Sequence, residues 1–288
     1  MARGLFVGLI TLDFIYQVAQ VPTRDEKVVA QDALLVAGGP ATNAAVTFGH
    51  FGHQARVMGA LGQHPVTSLV HADLAAHGVE VMDLSPDATE PPPLSTILVT
   101  AATGDRAIIS RNAVGRQLAP PSNLADYLSQ VDIVLIDGHQ MAVGLAVARL
   151  ARQRDIPIVV DAGSWKPGFE ELLPLATSAI AAAKFRLPPA LDAANPRLAL
   201  SQLGIPEVAT THGDDPIQFY QGGQAGTVAV PPVPVKDTLG AGDIFHGAFC
   251  HYRLDHSFRA SLAQAAQVAA QSCRYFGPRV WMSADVEP

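Results

Sequence analysis

Two cysteines in 288 residues, Cys250 and Cys273, are too few for a disulfide framework or a zinc site, and both fall in alanine-rich helical patterns. They read as buried thiols in a reducing compartment, so a cytoplasmic location is expected. Positive charge is also scarce: 19 Lys and Arg stand against 26 Asp and Glu, a formal net charge of −7. That leaves no basic field for nucleic acid or an acidic membrane surface, so the expected partners are small molecules. No charged leader opens the chain, and no uninterrupted apolar run is long enough to span a bilayer. Repeats, linkers and low-complexity tracts are lacking too. The 49% hydrophobic content is enough for one large domain, or for a domain with a small appendage.

Gly4 to Ile10 is a short, nearly all-apolar run, which predicts a strand buried on both faces of a parallel sheet. No G-x-G-x-x-G follows it, which disfavours a dinucleotide fold. Asp13 comes instead, just past the predicted strand. It reads equally as a solvated loop residue or as a ligand-facing one at a strand end. Phe14–Val18 and Lys27–Ala30 are β-prone pieces on either side of a Pro22 turn, and Thr96–Thr100 and Arg106–Ser110 flank Thr103-Gly104-Asp105. These pairs predict a small sheet apart from the main one, a lid over about 12–37 and 94–111 whose exposed edges want a partner.

The rest alternates. Ala55–Leu61, Val79–Leu84, Val131–Ile136, Ile156–Val160, Ser178–Ala183 and Glu207–Thr211 read as strands, with helices near Val66–His77, Met141–Arg154, Pro188–Leu203 and Arg259–Tyr275. Pro216–Tyr220 and Gly226–Val230 form a further hairpin about Gly222-Gly223. The whole predicts a single α/β domain over 1–288, a doubly wound, mostly parallel sheet flanked by helices and carrying the β lid.

The most informative stretch is Asp237-Thr238-Leu239-Gly240-Ala241-Gly242-Asp243, ahead of a helix predicted from about Ile244 to Tyr252. Pro231, Pro232 and Pro234 keep the approach extended. Gly240 and Gly242 remove side chains where a first turn offers unpartnered N–H groups, which makes an anion site. Asp243 adds a negative charge there. It reads either as a helix cap or as a base that takes a proton from an attacking hydroxyl. Upstream, Gly38-Gly39-Pro40-Ala41-Thr42-Asn43 leads into a helix predicted over Ala44–Phe51, where Thr42 or Asn43 reads as an N-cap, or Asn43 as a ligand-facing donor and acceptor.

The D-T-x-G-A-G-D string resembles the C-terminal signature of the PfkB/ribokinase family of sugar kinases, and Gly38 to Asn43 resembles its N-terminal one. The resemblance covers nearly the whole chain. It implies an ATP-dependent kinase that phosphorylates a primary hydroxyl of a sugar, a ketose being one candidate. Asp243 would be the catalytic base, and the amides of Gly240, Ala241 and Gly242 the anion hole. Asp13, Gly39 and Asn43 would orient the sugar, with Arg106 on the lid. The nucleotide would lie along Lys184, Thr211, Gly213, Pro231 and Gly242, with Cys273 near the adenine. Mg²⁺ would bridge the phosphates, a monovalent cation is a further candidate, and no side chain is assigned as a metal ligand. Homodimerisation through the lid is expected.

Two positions depart from the family pattern. Pro216 stands where the T-x-G turn of Thr211–Gly213 usually has a second glycine, and Lys184-Phe185-Arg186-Leu187 replaces an N-x-x-E motif. Lys184, with Lys27 and Phe245-His246-Gly247, resembles the ketohexokinase and sulfofructose-kinase branch. Ser110 and His139 replace the asparagine and arginine that would hold a sulfonate, and imidazole makes no bidentate fork. Asp137, Asp161, His139 and His212, also after predicted strands, read as solvated loop residues. A nucleoside kinase of the same family, or a catalytically silent sugar or nucleotide sensor, are the competing functions. The lid segments supply few aromatics beyond Phe14 and Tyr16 to shelve a nucleobase.

Overall fold

The structure is a computed structural model that describes residues 1–111, 113, 115, 117–188 and 196–283. Thirteen described strands run β1 (Arg3–Val7), β2 (Thr11–Val18), β3 (Asp32–Gly38), β4 (Gln54–Gly59), β5 (Val79–Asp83), β6 (Leu94–Thr100), β7 (Arg106–Arg111), β8 (Ile133–Ile136), β9 (Ile158–Ala162), β10 (Ser178–Ala182), β11 (Glu207–His212), β12 (Asp215–Gln221) and β13 (Gln224–Val228). The described helices are α1 (Pro40–His50), α2 (Thr67–Ala76), α3 (Leu124–Tyr127), α4 (Met141–Gln153), α5 (Phe169–Leu172), α6 (Pro196–Gln202), α7 (Ala241–Tyr252) and α8 (Phe258–Ser272).

Nine strands form the main sheet in the order β13-β12-β11-β10-β9-β8-β1-β4-β5. It is parallel from β11 to β5 and ends in the antiparallel β11-β12-β13 edge. The apolar runs of the central strands follow from burial on both faces. Phe6, Val57, Leu135, Val159 and Ile180 point to the side covered by α1, α7 and α8, through Phe48, Phe249 and Leu262. Leu5, Val7, Val134, Ile136 and Val160 point to the other, against Val143 and Val147 of α4, Phe169 and Leu200. Gly222 and Gly223 both adopt positive φ, the backbone that a two-residue hairpin loop demands between β12 and β13.

The second sheet has the order β3-β2-β6-β7, with β2 and β6 parallel. Its inner face carries Ile15, Val36, Ile97 and Val99, packed on Leu239 and Phe276 of the main body. The predicted lid is thus present, with two shifts. Lys27–Ala30 is not a strand, because β3 starts at Asp32, where Gln17 pairs. Asp13 lies inside β2 rather than in a loop. The helix predicted over Pro188–Leu203 is found as α6, and its part over 189–195 lies outside the described residues.

Candidate active site

The turn before α7 is held from behind by Asp237, which is buried. Its Oδ1 accepts from the Leu239 N–H at 2.8 Å and its Oδ2 from the Gly277 N–H at 2.9 Å. Gly240 then takes φ 73°, a left-handed backbone suited to glycine, and α7 starts at Ala241, three residues earlier than predicted. Asp243 is therefore in the first turn, but Gly240 is the N-cap and no side chain caps the helix. Asp243 thus makes no capping hydrogen bond, and its only helix-terminal role is the charge it places in the first turn. Gly242 is exposed, with nothing within 4 Å of where a Cβ would stand, so the turn is open to an incoming anion.

The Asp243 carboxylate instead meets α1. Asn43 Nδ2 donates to Asp243 Oδ2 at 2.8 Å. This is possible because α1 begins at Pro40, whose fixed φ and missing N–H suit a first helical position, so Asn43 lies within the helix and not ahead of it. Neither Thr42 nor Asn43 caps: Thr42 Oγ1 donates to the Leu9 carbonyl, and Gly39 is the cap residue. At Gly39, φ is 101° and a Cβ would stand 2.3 Å from the Leu9 oxygen, so only glycine fits.

Asp137 fixes the start of α1, a role that its position after a strand did not reveal. It is fully buried; Oδ2 accepts from the N–H groups of Leu9 and Ala41, and Oδ1 from that of His139. Burial alone would raise its pKa, but the adjacent His139, with the backbone donors, brings it down to about 2. Asp137 is an anchor and not a solvated loop residue.

Asp13 faces the same space from the lid. Thr11 Oγ1 donates to its Oδ1 at 2.7 Å, and Ser95 and Arg279 lie near enough to stabilise its anion, yet burial dominates and raises the pKa. Arg106, on β7, donates from Nη1 to the Thr238 carbonyl at 2.8 Å, so the lid touches the α7 turn itself. Asp13, Gly39, Asn43, Arg106 and the 240–243 turn are thus brought together.

Asp243 is half-buried, and its pKa is raised to about 6. Burial is the main cause and Asp161 adds to it; the Asn43 donor and His246 work against it, and Asp13 adds a smaller push upward. His246, one turn along α7, donates from Nδ1 to the Gly242 carbonyl at 2.7 Å, with Asp161 Oδ2 at 3.7 Å, while its buried Nε2 has no partner among the described residues. Asp161 and His246 carry no motif that singles them out as charge neighbours of Asp243. Arg279, which donates from Nη1 to Asn43 Oδ1 at 2.9 Å, was likewise unforeseen.

The residues expected along the nucleotide are spread more widely. Lys184 is exposed in the turn after β10. Thr211 is the penultimate residue of β11 and Gly213, at φ 69°, turns the chain into β12. Pro231 is half-buried in the extended approach to α7. Cys273 is the C-cap residue after α8; its carbonyl accepts from the Lys236 and Asp237 N–H groups, and burial raises its thiol pKa. Among the described residues no three His, Cys, Asp or Glu side chains are grouped to hold a metal ion, so these side chains do not form a metal cage. No described helix is long and apolar enough to cross a membrane.

A family model described as pfkB family carbohydrate kinase matches residues 1–284. The chain is similar to the ribokinase of Bacillus subtilis strain 168, 25% identical over 281 residues that cover 94% of this chain and 92% of that protein. Its fold is similar to that of Arabidopsis thaliana ribokinase complexed with ribose and ATP, with a TM-score of 0.76 and 19% identity over 96% of this chain and 94% of that one. The ribokinase of Giardia lamblia gives a TM-score of 0.80 at 17% identity, over 98% and 96%. A silent sensor has no support in this company, and the chain belongs to the pfkB family of carbohydrate kinases, phosphotransferases that act on sugars.

Proposed function

We propose that this chain transfers the γ-phosphoryl group of ATP to a primary hydroxyl of a small sugar, with Asp243 as the general base. The observation that carries the reading is the Asn43–Asp243 hydrogen bond: it holds one carboxylate oxygen beside the open Gly242 turn and leaves Oδ1 for a substrate. With a pKa of about 6, Asp243 is ionised at neutral pH and close enough to it to accept a proton effectively. As the sugar oxygen attacks phosphorus, its proton passes to Asp243 Oδ1. The bond from the γ-phosphorus to the β,γ-bridging oxygen breaks, and ADP leaves. Backbone N–H groups of the Gly240–Gly242 turn steady the charge on the transferring group, as helix N-termini do.

Asp13, Gly39 and Asn43 orient the sugar in this reading, and Arg106 closes over it from the lid. The nucleotide runs along Thr211, Gly213, Pro231 and Gly242, with Lys184 toward its phosphates and Cys273 behind the adenine. Mg²⁺ would neutralise the phosphates, and the side chains described here provide no cage for it.

A sugar is favoured over a nucleoside by the alternation of β2. Asp13, Ile15 and Gln17 share the inner face, while Phe14 and Tyr16 point outward, and the paired inner residues Ser95, Val99, Arg106 and Ser110 include no aromatic. A base would find no ring to stack on there. Lys184 and the Phe245-His246-Gly247 sequence support the ketohexokinase-like branch, and with it a ketose. Release of ADP, measured across sugars and nucleosides with ATP and Mg²⁺, tests the reading; turnover of a nucleoside above every sugar would overturn the substrate class.

A further inference from the structure

Behind the Asn43–Asp243 pair lies a buried chain of polar groups drawn from four parts of the sequence. Arg279, in the segment after α8, is only 8% exposed. Its Nη1 donates to Asn43 Oδ1 at 2.9 Å, and its Nη2 donates to the Ala37 carbonyl at 2.7 Å and lies 3.5 Å from Asp73 Oδ2 on α2. Asp73 in turn accepts from the Ala37 N–H. Asp237, which shapes the turn before Asp243, also holds Gly277, two residues from Arg279.

The chemistry of the partners fixes their orientation. A guanidinium only donates and a carboxylate only accepts, so an Asn between them must turn its oxygen to Arg279 and its NH₂ to Asp243. Rotated by half a turn, the amide would set oxygen against carboxylate and NH₂ against guanidinium. Arg279 is also the buried cation facing both Asp13 and Asp243, where burial of each acid, with the Asp161 and Asp13 charges beside Asp243, favours protonation. We propose that Arg279 is a positioning residue for the phosphoryl transfer, which locks the Asn43 amide in the rotamer that holds Asp243 and supplies the buried positive charge that keeps the acid pair ionised. This rests on the reading of Asp243 as the base.

The groups that face Asp243 are Asn43 from α1, Asp161 from the end of β9, Asp13 from β2, His246 from α7 and Arg279. Removing the cation leaves the carboxylates harder to ionise, so the acidic limb of the kcat profile moves to higher pH. Arg279→Met should lower kcat by about tenfold or more with the KM for ATP within about threefold, and should shift that limb upward. Arg279→Lys keeps the charge and loses the fork, so it should recover the limb but only part of kcat. Adding Arg279→Met to Asn43→Ala should cost nothing further in the pH-independent kcat, because Arg279 positions Asp243 through Asn43, while the acidic limb still moves upward with the lost charge.

A kcat within about threefold of wild type in Arg279→Met with an unmoved limb, or an additive loss of pH-independent kcat in the double variant, would overturn the inference. If Arg279→Met fails to fold, Arg279→Lys decides alone: full activity there overturns the proposal. Asp243→Asn, assayed alongside, separates the two claims. An inactive Asp243→Asn with a normal Arg279→Met sinks only the inference, whereas an active Asp243→Asn removes the base reading beneath it.

Discussion

Asp137 and Asp243 are both enclosed carboxylates, and their neighbours drive them in opposite directions. His139 and three backbone donors hold Asp137 ionised, down to about 2, while burial and Asp161 push Asp243 up to about 6. The consequences for stability have opposite sign. A depressed folded pKa makes Asp137 stabilising above its ordinary value of 3.8, and that contribution is lost as pH falls toward 2. A raised one makes ionised Asp243 a cost that grows as pH rises from about 4 through 6. Asp137→Asn should therefore lower the stability by about 1–3 kcal/mol, and with it the thermal midpoint at pH 7, since the new NH₂ or the lost charge leaves buried donors poorly matched. Differential scanning calorimetry checks it; an unchanged midpoint would remove Asp137 as the anchor of α1. The glycines before α1 can be tested in the same spirit. A Cβ at Gly38 would stand 1.9 Å from Asp13 Oδ2, so Gly38→Ala should raise the sugar KM more than the ATP KM.

At this scale the motifs made Asn43, Arg106 and Asp243 legible, because each stands in or beside a short string with a steric reason for its glycines, whereas Asp13 was marked only by its place after a strand and by the family resemblance. Arg279 was not legible. Its partner Asn43 is 236 positions away, and nothing local marks an arginine after a helix as the holder of a side chain at the other end of the chain. Asp161 and Asp137 failed for the same reason, since a polar residue after a strand looks solvated until the fold closes over it.

Helices α1 and α7 bring Asn43 to Asp243, and their closeness depends on Gly247. A Cβ there would lie 2.4 Å from the Ala44 carbonyl oxygen and 2.6 Å from the Thr47 Cβ, contacts that no flexible side chain can relieve. Gly247→Ala should force the helices apart, cost about 1–3 kcal/mol, and lower kcat through the misplaced Asn43–Asp243 pair by up to about 100-fold. Full activity at normal stability would mean that the spacing is not set there. Most elements were readable because period and punctuation agreed; the exceptions have physical causes. Lys27–Ala30 is β-prone but finds no partner strand, and α1 starts earlier than its apolar run because Pro40 nucleates it.

For the whole molecule, the lid explains what its inner face does but leaves its outer face apolar. Leu35 and Ile109 share that side through the strand register, and they are 48% and 75% exposed. Pairing of two lids would cover it, in keeping with the expected homodimer. Light scattering at micromolar concentration should find a dimer, and Ile109→Glu with Leu35→Glu should give monomers; a wild-type monomer would end that expectation.

Everything in the functional account converges on one carboxylate, and Asp243→Asn interrogates it with little change of shape. The measurement is kcat with the best sugar from the ADP-release screen, together with a thermal melt at pH 7.5. The account predicts a loss of about 10²- to 10⁴-fold in kcat, as expected for a positioned base. It also predicts a KM for ATP within a few-fold and a thermal midpoint equal to or above wild type, because a costly buried charge has been removed. A folded variant that turns over within about tenfold of wild type would contradict the assignment of Asp243 as the base.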